Sequence, residues 1–290
     1  MSADFPSLVS TAWLAAHLHE PGLAVLDASR HLPAAGRDPR AEFAAAHIPG
    51  ARFLDLAALV DETSPTPQAL PRPDQLAAHL AGLDIAPGGR IVLYDDSAVK
   101  TAARAWFMLA ASGWETVAIL DGGLAKWREE GRALEGGVPQ QALAALPANL
   151  APPKGVRDKA AMLANLETHA EQVIDARSAD RVFGTGTDPV HGLPMGRIPG
   201  SLNLPYTDLF ARDGTFLSPE AIRAAFEGAG VDLARPVTTT CGSGVTASVL
   251  LFALHLAGKH DTALYDGSWS EWGADPATPK AQGPEQGAQA

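Results

Sequence analysis

Residues 236–247 read Pro236-Val237-Thr238-Thr239-Thr240-Cys241-Gly242-Ser243-Gly244-Val245-Thr246-Ala247, and this stretch decides the fold. The β-branched run before Cys241 predicts a buried strand, and the apolar run over 247–256 predicts a buried helix. A strand that turns through two glycines into a helix leaves backbone N–H groups aimed into the turn. Together with the helix dipole they favour negative charge there. A thiol so placed is a better nucleophile than an ordinary one. Cys241 is the single cysteine of the chain. By count alone a lone cysteine reads as a small buried hydrophobe. Its place between strand and helix is what points to chemistry.

Working outward, the same order of events occurs twice. A strand ending in an acid is predicted over 23–27 and again over 172–175. His47-Ile48-Pro49-Gly50 is matched by Arg197-Ile198-Pro199-Gly200, and Ile119-Leu120-Asp121-Gly122-Gly123 by Leu264-Tyr265-Asp266-Gly267-Ser268. Helices are predicted over 11–19, 40–46, 74–83, 101–112 and 124–130, then over 159–166 and 219–228. The matched points are offset by roughly 145 to 150 residues, a domain-sized period. The reading is an α/β protein of two tandem domains, each a mostly parallel sheet flanked by helices. The expected division is a first domain over 1–138, a linker over 139–156, a second domain over 157–275 and a mobile tail over 276–290. In such sheets sites lie at the carboxyl ends of strands. Cys241 sits at one, and its counterpart in the first copy is Asp95. The second copy therefore carries the chemistry, and the first is expected to be non-catalytic.

The bulk numbers exclude several classes. A chain of 290 residues that is 46% hydrophobic can bury two ordinary cores. The net charge of −11 argues against nucleic acid or an anionic membrane as partner. One cysteine forms no internal disulfide and no cysteine-based zinc cluster. No histidine pair has a metal-ligand spacing with a carboxylate, so no metal or other cofactor is expected. Residues 1–10 lack the features of a signal peptide, and no apolar stretch is long enough to span a bilayer. The expectation is a soluble cytoplasmic protein.

Four segments together resemble the tandem-domain rhodanese sulfurtransferases: the paired Ile-Pro-Gly turns, Asp-Gly-Gly-Leu-Ala-Lys-Trp at 121–127, Cys-Gly-Ser-Gly-Val-Thr-Ala at 241–247, and Tyr-Asp-Gly-Ser-Trp-Ser-Glu-Trp at 265–272. The likeness runs from about residue 8 to 273. It implies an enzyme that takes sulfur from a small-molecule donor onto Cys241 as a persulfide. The sulfur then passes to a thiol acceptor, such as thioredoxin or a small thiol, or to cyanide. Thiosulfate-type members carry basic residues directly after the cysteine. The neutral Gly-Ser-Gly here looks like the loop of the mercaptopyruvate-type members, and a monocarboxylate needs less fixed positive charge than a dianion.

The resemblance also implies residue roles. Arg181 matches the arginine that binds the donor carboxylate, which a guanidinium fork suits. Mercaptopyruvate-type members have a second arginine where this chain has Val190, with His191 beside it. Arg197 stands where the family has histidine, so Arg197 or His191 is expected to replace the missing charge. Ser243, His47 and Asp38 match a constellation for proton handling, with Asp27 and Asp55 as neighbouring competitors for the acidic position. Arg104 matches a family position facing the other domain and is expected among the substrate-binding residues, with a helix-surface salt bridge as the alternative. Gly242, Gly244, Val245 and Thr246 are expected to cradle the persulfide through backbone N–H groups, and Thr246 is also a candidate helix cap. Trp269 and Trp272 are expected to pack rather than stack on a ligand.

Three competing readings remain. Thiosulfate:cyanide sulfurtransfer shares the chemistry and changes the donor. A cysteine phosphatase would need an arginine closing the loop after about five intervening residues, and Ala247 stands there. A persulfide carrier for a protein partner would load sulfur without turning it over on a small acceptor.

Overall fold

The computed structural model describes residues 5–85, 88–138 and 150–283. The chain forms two compact units. The first comprises Met1–Asp61, Leu70–Lys154 and Ala211–Phe216; the second comprises Glu62–Ala69, Gly155–Phe210 and Leu217–Ala290. The main division falls inside the segment expected as linker, of which 139–149 lie outside the described residues. The assignment of 62–69 and 211–216 has no signature in the apolar pattern.

In the first unit the strands are β1 (Leu8–Val9), β2 (Leu23–Asp27), β3 (Arg52–Phe53), β4 (Arg90–Tyr94) and β5 (Val117–Leu120). Its helices are α1 (Thr11–His17), α2 (Pro39–Ala45), α3 (Pro73–Gly82), α4 (Ala102–Ala111) and α5 (Gly123–Glu129). In the second unit the strands are β6 (Val156–Arg157), β7 (Gln172–Asp175), β8 (Leu202–Asn203), β9 (Val237–Thr240) and β10 (Thr262–Tyr265). Its helices are α6 (Lys159–Thr168), α7 (Ala179–Phe183), α8 (Pro219–Gly228), α9 (Val245–Leu256) and α10 (Ser268–Trp272). The sheet orders are β1-β5-β4-β2-β3 and β6-β10-β9-β7-β8, the same topology, and the strand pairs are parallel. Strands covered on both faces favour near-continuous apolar runs, as in the fully buried β5.

The duplication extends to individual hydrogen bonds. Ala28 N–H donates to Tyr94 O at 2.8 Å, and Ala176 N–H to Thr240 O at 2.9 Å. Leu124 N–H donates to Asp95 O at 3.0 Å, and Trp269 N–H to Cys241 O at 2.9 Å. His47 exchanges both backbone bonds with Glu135, as Arg197 does with Ala281. That last match corrects the expected mobile tail. Residues 276–283 are the counterpart of the segment after α5, and they pack: Thr278 is buried, and Trp272 Nε1 donates to Pro279 O at 2.8 Å. Residues 284–290 lie outside the described residues.

Helix α9 has Ala247 to Leu254 buried on every face, as a central helix must. Strand β9 carries three threonines and is buried throughout. Thr239 Oγ1 compensates by donating to Ala247 O at 3.1 Å. Trp269 and Trp272 lie in the core of the second unit with Tyr265 and Ile198, as packing residues do.

Candidate active site

Cys241 is a free, buried cysteine at the carboxyl end of β9, where the chain turns into α9. Gly244 is the residue before the helix and has φ +77°, a left-handed backbone that suits glycine. Thr246 therefore sits inside the helix and is not its cap. Behind the turn runs the segment 267–270. Ser268 Oγ accepts from Cys241 N–H at 3.2 Å and Gly244 N–H at 3.1 Å, and donates to Tyr265 O at 2.9 Å. Ser270 donates to Gly242 O through both N–H (2.8 Å) and Oγ (2.6 Å). The loop shape is thus set by a segment nearly thirty residues later in the chain.

These bonds select which amides face the thiol's surroundings. Gly244 N–H is taken by Ser268 and is not part of an anion cradle. The N–H groups of Gly242, Ser243, Val245 and Thr246 have no partner among the described residues. With the positive end of α9 they are donors available to a negatively charged group. The Ser243 hydroxyl is half-buried and also has no partner among the described residues.

A buried charge cluster adjoins this loop. Arg177, fully buried after β7, binds Asp175 (Nη2 to Oδ2, 2.6 Å) and donates to Gly196 O at 2.7 Å. Its guanidinium lies 4.7 Å from the Trp269 ring centroid. Burial alone would depress Arg177. The negative charges of Asp175, Asp188 and Cys241 outweigh that and hold its pKa above the usual value. Arg181, on α7, donates to Asp188 Oδ2 from Nε (3.0 Å) and Nη2 (2.8 Å). Asp188 Oδ1 accepts from Val190 N–H at 2.8 Å and His191 N–H at 3.3 Å. Burial opposes its ionisation, but Arg181 and these amides keep its carboxyl below the usual range. Two guanidinium groups thus face two carboxylates, leaving little surplus charge for a dianion. Tyr206 lies close enough to feel both Arg181 and Cys241; burial raises its pKa, Arg181 opposes, and Cys241 adds to the rise.

Of the residues that the sequence singled out, Cys241 and Arg181 both bear on this cluster: the Cys241 charge acts on Arg177 and Tyr206, and Arg181 acts on Tyr206 and Asp188. Arg197 instead turns to the C-terminal segment, donating from Nη1 to Gly283 O at 2.6 Å over the ring of Phe183. His191 packs on the loop itself: a Cβ on Gly242 would stand 1.9 Å from His191 Nε2. Burial, with Arg181 and Arg177 against the single opposing charge of Asp188, lowers the His191 pKa. That balance disfavours the charged imidazolium and so counts against His191 as a replacement positive charge.

The other expected residues belong to the first unit. Asp38 caps α2 by accepting from Arg40 and Ala41 N–H. His47 is buried, with Nδ1 2.7 Å from Phe43 O and Nε2 3.2 Å from Glu135 Oε1. Arg104 is buried on α4 rather than on an exposed helix face. Asp27 holds Ser29 N–H at 2.8 Å and Asp55 holds Arg40 at 2.5 Å. Asp95, the counterpart of Cys241 in the repeat, accepts from Ser97 N–H (2.9 Å) and Ala102 N–H (2.7 Å) and so anchors the start of α4. Burial pushes its pKa up to about 6 against those two bonds.

Sequence reasoning missed Arg177 and Asp188. Arg177 had a signal, because its counterpart in the first copy is Ser29, another residue whose N–H bonds the strand-ending acid. The comparison that set Cys241 against Asp95 finds it when carried two positions past the acid. Asp188 had none, being one acid in a Gly/Pro-rich loop.

Two copies of one parallel α/β unit, with a thiol-bearing anion loop in the second only, define a class of tandem-domain proteins built for cysteine chemistry. The family model for the Rhodanese-like domain matches residues 10–130 and 158–275, and the chain belongs to the rhodanese family. The 3-mercaptopyruvate sulfurtransferase of Homo sapiens is 40% identical over 272 residues, covering 92% of this chain and 91% of that protein. The thiosulfate sulfurtransferase of Mus musculus is 38% identical over 290 residues, covering 96% of each. The crystal structure of SseA, a 3-mercaptopyruvate sulfotransferase from Escherichia coli, superposes with a TM-score of 0.80 at 37% identity, covering 91% of this chain and 99% of that one.

Proposed function

We propose that this chain is a sulfurtransferase that moves sulfur from 3-mercaptopyruvate, through a persulfide on Cys241, to a thiol or cyanide acceptor. The observation that carries this is the single thiol in a turn whose amides at 242, 243, 245 and 246 are unpaired among the described residues. The Cys241 thiolate attacks the donor sulfur; an S–S bond forms as the C–S bond breaks, and the carbon fragment takes up the proton lost from the donor thiol and leaves as pyruvate. The loop amides and the Ser243 hydroxyl stabilise the negative outer sulfur. Arg181, with Nη1 not committed to Asp188, orients the donor carboxylate. An acceptor thiolate, from thioredoxin or a small thiol, then takes the outer sulfur; cyanide would leave as thiocyanate. A reduced Cys241 is required at the start of each turn, which a reducing compartment such as the cytoplasm supplies. Among the described residues, no helix is long and apolar enough to cross a membrane.

Thiosulfate is the second candidate donor, favoured by the 38% identity to a thiosulfate sulfurtransferase. The neutral loop and the balanced Arg177, Arg181, Asp175 and Asp188 set favour the monocarboxylate. Intact mass after donor exposure tests the reading: Cys241 gains about 32 Da, and Cys241→Ser gains nothing. Full sulfur transfer by Cys241→Ser refutes it. Acceptor turnover separates the enzyme from a persulfide carrier, and comparing the two donors sets the preference.

A further inference from the structure

His191 is the remaining acid–base group at the loop. Its imidazole is half-buried, with Nε2 directed at the α-carbon of Gly242, the residue after Cys241. Neither ring nitrogen has a hydrogen-bond partner among the described residues. Its backbone is fixed, because Asp188 Oδ1 holds the N–H groups of Val190 and His191. Asp188 is in turn held by Arg181 and Arg177, so the imidazole stands on an ordered platform. The charged groups around it are Asp188 in its own loop, Arg181 on α7, Arg177 after β7, and the Cys241 loop.

The proposed reaction has a proton to move. 3-Mercaptopyruvate arrives as HS–CH2–CO–COO−. As its sulfur bonds to Cys241 Sγ, the C–S electron pair passes to the methylene carbon. The thiol proton must leave sulfur, and the enolate carbon must gain one to become the methyl group of pyruvate. We propose that His191 is the proton relay of this step, taking the donor's S–H proton on Nε2 and returning it to the departing methylene carbon. The balance closes: thiolate plus mercaptopyruvate gives persulfide anion plus pyruvate, and His191 ends neutral. The lowered pKa leaves the ring free to accept a proton at pH 7. In this structure both ring nitrogens of His47 have partners in the first unit, whereas neither of His191's has a hydrogen-bond partner among the described residues.

The inference rests on the sulfurtransferase reading, and a proton-independent donor separates the two. Thiosulfate gives up its outer sulfur with sulfite leaving, and no proton moves; methanethiosulfonate behaves likewise if thiosulfate loads too slowly. Single-turnover loading of Cys241 is followed by mass in wild type and His191→Asn with each donor. The relay predicts about a 100-fold loss with mercaptopyruvate, the scale of general acid–base catalysis, and an unchanged rate with the proton-independent donor. It also predicts that lowering the pH through the His191 titration slows mercaptopyruvate loading in wild type beyond the decline seen in His191→Asn. Equal losses with both donors mean that His191 only shapes the loop, and they overturn the relay. Unchanged loading from mercaptopyruvate overturns it as well. Failure of wild-type Cys241 to load from any donor sinks the sulfurtransferase reading itself.

Discussion

Ser268 gives the sharpest test of how the cysteine loop is built. Its Oγ makes three buried hydrogen bonds, from Cys241 N–H, from Gly244 N–H and to Tyr265 O. Each contributes about 1 kcal/mol net, and a stranded buried amide costs at least as much. Ser268→Ala is therefore expected to lower the stability of the second unit by about 3 kcal/mol, a large share of the ~5–15 kcal/mol of an ordinary domain. The backbone adds a second handle. Ser268 has φ +49°, a left-handed conformation that disfavours side chains. Ser268→Gly loses the same three bonds but regains roughly 1 kcal/mol of backbone preference, so it should be more stable than Ser268→Ala. Urea unfolding of the three proteins measures both differences, and sulfur loading of Cys241 should slow in both variants as the loop loosens. An alanine variant within about 0.5 kcal/mol of wild type would refute the clasp, since that is the range of an inconsequential surface change. A glycine variant less stable than alanine would refute the backbone argument.

Two further outcomes follow from the charge cluster and from the first unit. Arg181→Lys keeps the charge but loses the fork, and should raise KM for mercaptopyruvate about 10-fold with a smaller change in kcat, as read from steady-state kinetics. Asp95 has a folded pKa of about 6, above its unfolded value of 3.8, so its contribution to stability is present below pH 3.8 and is lost as pH rises through 6. Asp95→Asn should remove that component, so the difference in unfolding free energy between wild type and variant should shift in the variant's favour between pH 4 and 7; a pH-independent difference would contradict the burial argument.

The long elements were legible because apolar periodicity and end signals are local. Helix α8 runs over Pro219–Gly228 with Ser218 as cap, as the Ser-Pro start predicts. Strands β2, β7 and β9 were legible from their apolar or β-branched runs. The edge strands β1 and β6 were not, since two residues carry no period, and neither was the five-residue helix α7 that presents Arg181. The tail was read as mobile from its Gly, Pro and Gln content. Its order through 283 comes from pairing with Arg197 and from Trp272, which composition cannot express.

The sequence alone determined that Cys241 stands at a strand-to-helix turn, that the architecture is doubled, and that one copy holds the thiol. These follow from spacing along the chain. Tertiary structure decided which amides around Cys241 are open, that Arg177 and Asp188 join Arg181, that Arg197 turns away, and that His191 lies against Gly242. In the second unit β9 pairs between β10 and β7, strands that lie far from each other in sequence. That pairing sets the end of β7 and the segment after β10 on either side of the thiol, so the groups that surround Cys241 are neighbours only once the sheet has formed.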